Sequence, residues 1–354
     1  MPAAALSPVG LLMAATMSVT NVLTDVARKH ALVRRELIPA TFWVRVAVAA
    51  VFAAVLLYRV AGGASIVIRD NGPLFGMALL QLPPIPTYAI YMLADITLIT
   101  AVMWLYFRAL QISPLSLCVP FLSFTPVFLI PTGFIILGEV PSPLKAVGVL
   151  LIAIGSLAMH RRLFAEGWLA PAKAVIREKG SRYMLLVSLI FAVTNPLDKK
   201  LVVMSDVFTE ALVYGLGLCL SFWLMGRFRR VDFSAAARGN WKWIWLAGLF
   251  DAVSLLFQLG SYAYIPVVIT VSIKRAGIVL SVFSGWLFFK ERGITDKVIA
   301  ATVMFCGVLI LYLPVTVWQA AGIFIATISG MALAFYLTRN QVTPNYKTPG
   351  EIAQ

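Results

Sequence analysis

The sequence predicts an all-α membrane protein of ten transmembrane helices, arranged as two inverted five-helix repeats, with an eleventh helix at the C-terminal end. Composition is the first reason. Apolar residues make up 61% of the chain and charged residues 12%, whereas a soluble domain carries roughly a quarter charged residues. The second is that the apolar residues fall in runs of about 20, the length that spans hydrocarbon. The third is an internal repeat: Gly138-Glu139 is echoed by Lys290-Glu291 at a separation of 152, and the same offset pairs Pro114 with Pro266, Gly133 with Gly285 and Gly155 with Gly307. The front ends agree as well, Val19-Thr20-Asn21-Val22-Leu23 returning as Val193-Thr194-Asn195-Pro196-Leu197. Two copies of one helical unit in a bilayer point to a transporter, because a site between pseudo-symmetric halves opens to either side when one rocks against the other.

The first span, 8–28, is interrupted by Thr20, Asn21 and Asp25 and lacks the basic start of a secretory signal, so it is read as a retained helix. Spans follow at 39–60, 87–108, 115–137 and 144–160, completing a first repeat over 1–160. Between them, 62–86 is too broken by Arg69, Asp70, Gly72 and Pro73 to cross, and reads as interfacial. The linker 161–182 sets basic residues among Phe164, Trp168, Leu169, Val175 and Ile176, the composition of a segment lying along the membrane surface. The second repeat, 183–314, contains spans at 183–203, 207–226, 243–264, 267–288 and 296–313. The remainder, 315–354, holds an apolar segment at 320–337 with no counterpart in the first half, flanked by Trp318, Tyr336 and Arg339 in the manner of interfacial anchors, and then a polar tail.

The formal charge of +14 does not indicate nucleic acid, since the basic residues sit in short clusters between apolar runs. Counted over alternate loops, twenty-one Lys and Arg fall on one side and five on the other, with Arg45, Lys274 and Arg275 set aside as intramembrane. Positive-inside bias then puts the N-terminus outside and the C-terminus in the cytoplasm. An odd number of helices per half inverts one half relative to the other. Cys118, Cys219 and Cys306 lie in apolar runs without CxxC spacing, which argues against a disulfide framework or a metal site.

Two stretches carry a family resemblance. Leu122-Ser123-Phe124-Thr125-Pro126-Val127-Phe128, followed by Gly138-Glu139 and the Gly148 to Gly155 helix, resembles the EamA repeat of the drug/metabolite transporter superfamily. Ser281-Val282-Phe283-Ser284-Gly285-Trp286, leading to Lys290-Glu291 and the Gly307 helix, resembles it again. The resemblance implies ten helices in two inverted repeats and a substrate cavity between helices of both halves. Family members are drawn with a cytoplasmic N-terminus, so the charge count and the eleventh segment are departures.

An ionised side chain at mid-helix costs about 3 kcal/mol on insertion scales, so each intramembrane charge needs a partner, a water-filled cavity or a route to the headgroups. Lys274-Arg275 is expected in the middle third of the ninth helix. In one reading both cations face a cavity and attract an anionic group. The pair resembles that of the triose-phosphate translocators of the same superfamily, where it binds phosphate, although the surrounding sequence is more similar to EamA. In the other reading they form an internal ion pair with Asp95 or Asp251. Those two acids occupy matching helices and either carry protons, balance the Lys-Arg charge, or are solvated near a helix start. Asn21 and Asn195 offer amides to a substrate or to a neighbouring helix, with Pro196 loosening the backbone beside the second. Trp104, Gln258 and Tyr262 lie on the third and eighth helices, which line the cavity in relatives. Asp25 and Asp198-Lys199-Lys200 are expected near helix ends, where charge is cheap. Glu139 and Glu291 are structural family markers, each closing a fourth helix and either capping the next or meeting a nearby cation.

His30 and His160 are the only histidines, both stand among basic loop residues, and no HExxH or GxSxG pattern occurs. With no nucleophile, base or metal cluster in sight, no catalytic residues, metal or cofactor are assigned, and an enzyme is not expected. The expectation is a secondary transporter in the cell (inner) membrane moving a small organic metabolite, anionic or zwitterionic. Its partners are that small-molecule substrate, the lipid bilayer, and a coupling ion or counter-substrate, with the oligomeric state left open. The alternative is a non-transporting scaffold or sensor on the same fold, which would have little reason to keep charge at the midplane.

Overall fold

A computed structural model describes residues 7–31, 37–69, 83–112, 119–158, 179–234, 241–277, 294–313 and 316–337. Among the described residues the regular structure is entirely helical. In chain order the helices are α1 (Pro8–Ala31), α2 (Leu37–Ala61), α3 (Pro84–Ile112), α4 (Thr125–Leu137), α5 (Pro143–Ala158), α6 (Lys179–Met204), α7 (Val207–Phe228), α8 (Trp241–Ser261), α9 (Val267–Ala276), α10 (Ile294–Tyr312) and α11 (Val317–Leu337). A 3₁₀ turn, Val119–Phe124, precedes α4. Each falls on one of the apolar runs. Four are long and apolar enough to cross a membrane by length and composition: Ile38–Ala61, Pro84–Tyr106, Val207–Phe228 and Trp241–Ser261. Most of the 161–182 linker lies outside the described residues, as does 70–82 of the expected interfacial segment.

Two helices differ from expectation in continuity. The expected span at 115–137 resolves into the 3₁₀ turn and then α4, divided between Phe124 and Thr125, where Pro126 stands in the first turn of the new helix. Proline lacks an N–H and so favours a helix start. The expected span at 267–288 is α-helical only to Ala276, with Gly277 as its C-cap, and 278–288 lies outside the described residues. Lys274 and Arg275 are therefore in the last turn of a short helix rather than in the middle of a long one. The C-terminal end of a helix is its negative pole, which favours cations.

Close turns fix two junctions. At the end of α4, Gly138 takes φ +69°, a left-handed conformation that a glycine adopts without strain, and the Gly138 and Glu139 N–H groups close on the carbonyls of Phe134 and Gly133. At the start of α7, the Asp206 carboxylate accepts from the Phe208 N–H at 2.9 Å and from Arg59 Nη1 at 2.8 Å, tying the end of α2 to the start of α7. Partial burial would push the Asp206 carboxyl up, but the bonds from Thr209, Arg59 and Phe208 outweigh it and hold the carboxyl below the ordinary carboxylate range.

The main packing pairs are α1 with α8, α3 with α6, α2 with α7, and α5 with α10, joined by α2 with α8, α3 with α7, α1 with α9 and α4 with α6. Residue pairs give their directions. Gly10 lies against Tyr264 while Ser254 Oγ donates to the Met17 carbonyl, so α1 and α8 run antiparallel. Ala49 meets Gly215 and Arg59 meets Asp206, so α2 and α7 do too.

The tightest crossing is α5 on α10. A Cβ at Gly148 would stand 2.9 Å from the Gly307 carbonyl oxygen, and one at Gly307 would stand 2.8 Å from that of Gly148. Likewise, a Cβ at Gly155 would stand 2.9 Å from the Met304 nitrogen, and one at Gly307 would stand 3.0 Å from the Ile152 nitrogen. Met304 and Ile152 are themselves 152 residues apart, so each contact has a mate with the halves exchanged. Ascending numbers on α5 meet descending numbers on α10, so this crossing is also antiparallel. Only hydrogen at these positions lets the backbones approach this closely, as small residues do at helix interfaces in membranes.

Replacing Gly307 by valine should destabilise the protein by about 1–3 kcal/mol, the usual range for overpacking a rigid contact. Gly322→Ala, with nothing within 4 Å of the added methyl, should be neutral or slightly stabilising. Thermal unfolding in detergent checks both, and an equal response from the two variants would contradict the crossing.

Candidate functional site

Three helices build a polar cluster between apolar layers. On α6, Asn195 and Asp198 stand one turn apart and so share a face; Gln258 lies in the last turn of α8 and Tyr262 in the turn that follows it. The last turn of α9 supplies Lys274. The Tyr262 hydroxyl donates to Asn195 Oδ1 at 3.1 Å, Gln258 Nε2 donates to the Tyr262 oxygen at 2.9 Å, and Lys274 Nζ donates to Gln258 Oε1 at 2.7 Å. A longer bond of 3.4 Å joins Gln258 Nε2 to Asn195 Oδ1. Lysine has only donors, so it fixes which end of the Gln258 amide faces it, and that in turn directs the amide hydrogens at Tyr262 and Asn195. Asn195, Gln258 and Tyr262 are buried. Asp198 lies within electrostatic reach of Lys274 and against Asp95 of α3.

Arg275 points elsewhere. Its Nη2 donates to Thr125 Oγ1 at 3.3 Å, across the break that separates the 3₁₀ turn from α4, with Tyr106 of α3 nearby. Its Nε is buried without a hydrogen-bond partner, and among the described residues no carboxylate pairs with it. Ser123, two residues back along the chain, shares a hydrogen bond with Ser156. A guanidinium left with one hydroxyl and an aromatic neighbour has spare donors, in a setting where an unpaired charge is expensive.

Asp251 bonds Arg45 of α2, Oδ2 to Nη1 at 2.7 Å. Asp95 is fully buried and meets no donor among the described residues. Nor are Asp198, Lys199 and Lys200 at a solvated helix end. α6 continues to Met204, Lys199 pairs with Glu139, and Lys200 sits 4.8 Å from the Tyr91 ring centroid. Glu139 also accepts the Val267 N–H at 3.0 Å, so the carboxylate that follows α4 caps the start of α9.

Of the remaining candidates, Asn21 is half-buried on α1 and takes no part in these bonds, while Trp104 is 47% exposed on α3. The side chain of Asp25, and Glu291 altogether, lie outside the described residues. No cluster of three or more metal-ligating side chains gathers among the described residues. Sequence reasoning missed Arg45 as the partner of Asp251, Asp198 as part of the cluster, and Glu210. The last had a signal, being the one charged residue in the apolar run 207–226. It is 1% exposed and accepts from the Tyr88 hydroxyl at 2.9 Å.

No family model matches the chain, and no curated protein matches it. Solved structures do. One, described only as "Crystal structure of protein", is similar over 85% of this chain and 95% of that chain, with a TM-score of 0.63 and 16% identity. At that identity the likeness shows a shared fold and carries no activity with it.

Breaking the Arg45-Asp251 pair on one side leaves a buried charge unanswered. Arg45→Met or Asp251→Leu alone should cost about 3–5 kcal/mol, and the double variant should recover most of it. Unfolding free energies of the four proteins check this, and strictly additive losses would contradict a direct pairing.

Proposed function

We propose that the chain is a secondary transporter working by alternating access, an EamA-like member of the drug/metabolite transporter superfamily, which moves a small organic metabolite bearing a negative group across the cell (inner) membrane. The observation that carries this reading is Arg275, in the last turn of α9, whose Nε is buried and which has no acid among the described residues, held against the start of α4. Phe124, where the 3₁₀ turn gives way to α4, and Ala276, the last residue of α9, are 152 apart, the repeat offset. Discontinuous helices at the interface of two repeats are where transporters expose backbone and charge to a substrate. The polar cluster around Lys274 lies beside it and supplies both donors and acceptors, as a carboxylate or a zwitterion would need.

The packing supports an inverted-repeat architecture of ten spans. Numbering the helices so that α1 corresponds to α6 and α5 to α10, exchange of the halves turns α1 on α8 into α6 on α3, and α1 on α9 into α6 on α4, all of which are packing pairs. It leaves α2 on α7 and α5 on α10 unchanged, and both are antiparallel. A two-fold that exchanges antiparallel helices is perpendicular to them, which for spanning helices is the membrane plane.

Full-length protein in proteoliposomes, given radiolabelled glutamate, succinate, lactate and alanine with and without a pH gradient, tests the reading. Arg275→Gln should lower uptake of a transported compound by about 10- to 100-fold, the worth of a charged hydrogen bond, with Arg275→Lys intermediate and expression of both unchanged. Lys274→Gln should weaken uptake as well. Unaltered uptake in the glutamine variants, or loss of stable insertion, would make the pair structural.

The charge asymmetry of the loops further predicts that reporters fused after residues 5 and 350 read outside and cytoplasm respectively. Two cytoplasmic readings would overturn the orientation or the eleventh span.

A further inference from the structure

The described charges of the bundle interior are answered unevenly, and one of the places left unanswered is acidic. Asp95 of α3 is 0% exposed, and neither oxygen meets an N–H or O–H donor among the described residues. What it faces is the carboxyl of Asp198 on α6, with Glu210 of α7 the next charge. Glu210 is bonded through one oxygen to Tyr88 and leaves the other, buried, without a partner.

The neighbouring groups offer Asp95 no cation. From α7 it is faced by Tyr214 and Glu210; from α6, by Asp198, while Lys200 is placed on the ring of Tyr91 a turn away. From α9, Lys274 reaches Asp198, and Tyr262, just after α8, lies beyond. The acid on α8, Asp251, has Arg45 from α2. Of these two acids, then, one is neutralised by an arginine and the other is set against a second acid. Two carboxyls in contact away from water make a hydrogen bond only with a proton between them.

We propose that the Asp95-Asp198 pair is the proton site of the transporter, loaded in the packing described and emptied when α3 and α6 part, so that transport is coupled to proton movement. The inference rests on the transport reading above. In the loaded state one carboxyl donates its O–H to the other. On opening, that proton passes to water on the exposed side and both groups are left as carboxylates. Asp198 then attracts the Lys274 ammonium, which lets go of Gln258 Oε1 and with it the orientation of the Gln258 amide that Tyr262 and Asn195 share. Lys274 thus joins the proton site to the polar cluster without a separate coupling element.

Proteoliposomes holding the pH dye pyranine inside, with full-length protein and the same four radiolabelled compounds, read proton and substrate movement together. The wild type should move protons in fixed proportion to substrate. Asp95→Asn should move no protons per substrate molecule carried, and Asp95→Glu should restore them in part; if Asp95→Asn does not fold, Asp198→Asn takes its place with the same expectation. Infrared spectra of the wild type at neutral pH should show a protonated-carboxyl stretch that is lost in the asparagine variant. Substrate movement without protons in the wild type, or absence of that stretch, overturns the proton site while leaving transport intact. If none of the four compounds moves, the transport reading falls first and the coupling with it.

Discussion

Charge placed inside an apolar bundle has to be answered within reach of its own side chain, because water is not there to do it. Most of what is specific in this molecule follows from how that demand is met. Arg45 meets Asp251, Lys199 meets Glu139, and Lys274 meets an amide backed by a tyrosine and an asparagine. Arg275 meets little, and Asp95 meets another acid. Consecutive residues on a helix point about 100° apart, so Lys274 and Arg275 cannot answer to the same partner, and the sequence pair becomes two chemically distinct places.

The scaffold repeats while the chemistry does not. At the offset of 152, Arg275 corresponds to Ser123 and Lys274 to Leu122, so the charge belongs to one half only. Gly148, Gly155 and Gly307, by contrast, work reciprocally across α5 and α10. On the transport reading proposed above, symmetric contacts would let two conformations of similar energy be reached by exchanging the roles of the halves, and asymmetric side chains would give those conformations one site to share.

The positions of the eleven helices among the described residues could be read from apolar runs, because burial in lipid or protein demands length and hydrophobicity and little else. The glycines of the α5 and α10 crossing were visible through the repeat. Continuity was not: an apolar run looks the same whether its backbone bonds are unbroken or stop at Ala276, and hydropathy carries no record of which carbonyls are paired. Ion partners were illegible for a related reason. Arg45 and Asp251 are far apart in the chain and belong to different halves, so only packing brings them together. Asp198 misled because nearness to a helix end was read as solvation, whereas α6 keeps its last turns, with Lys200 and Leu201, inside the bundle.

α9 belongs to the second half by sequence but is secured by the first. Glu139 caps its start, and Ser18 of α1 donates to the Ile273 carbonyl near its end, across a separation of 255 residues. α1 likewise lies along α8. During synthesis the first helix is therefore made long before its permanent neighbours exist. It must wait, with Ser18 bonded elsewhere, until the chain has been lengthened by most of its remaining residues. Assembly is then a late event shared by both halves, and neither repeat released on its own could reach its final packing.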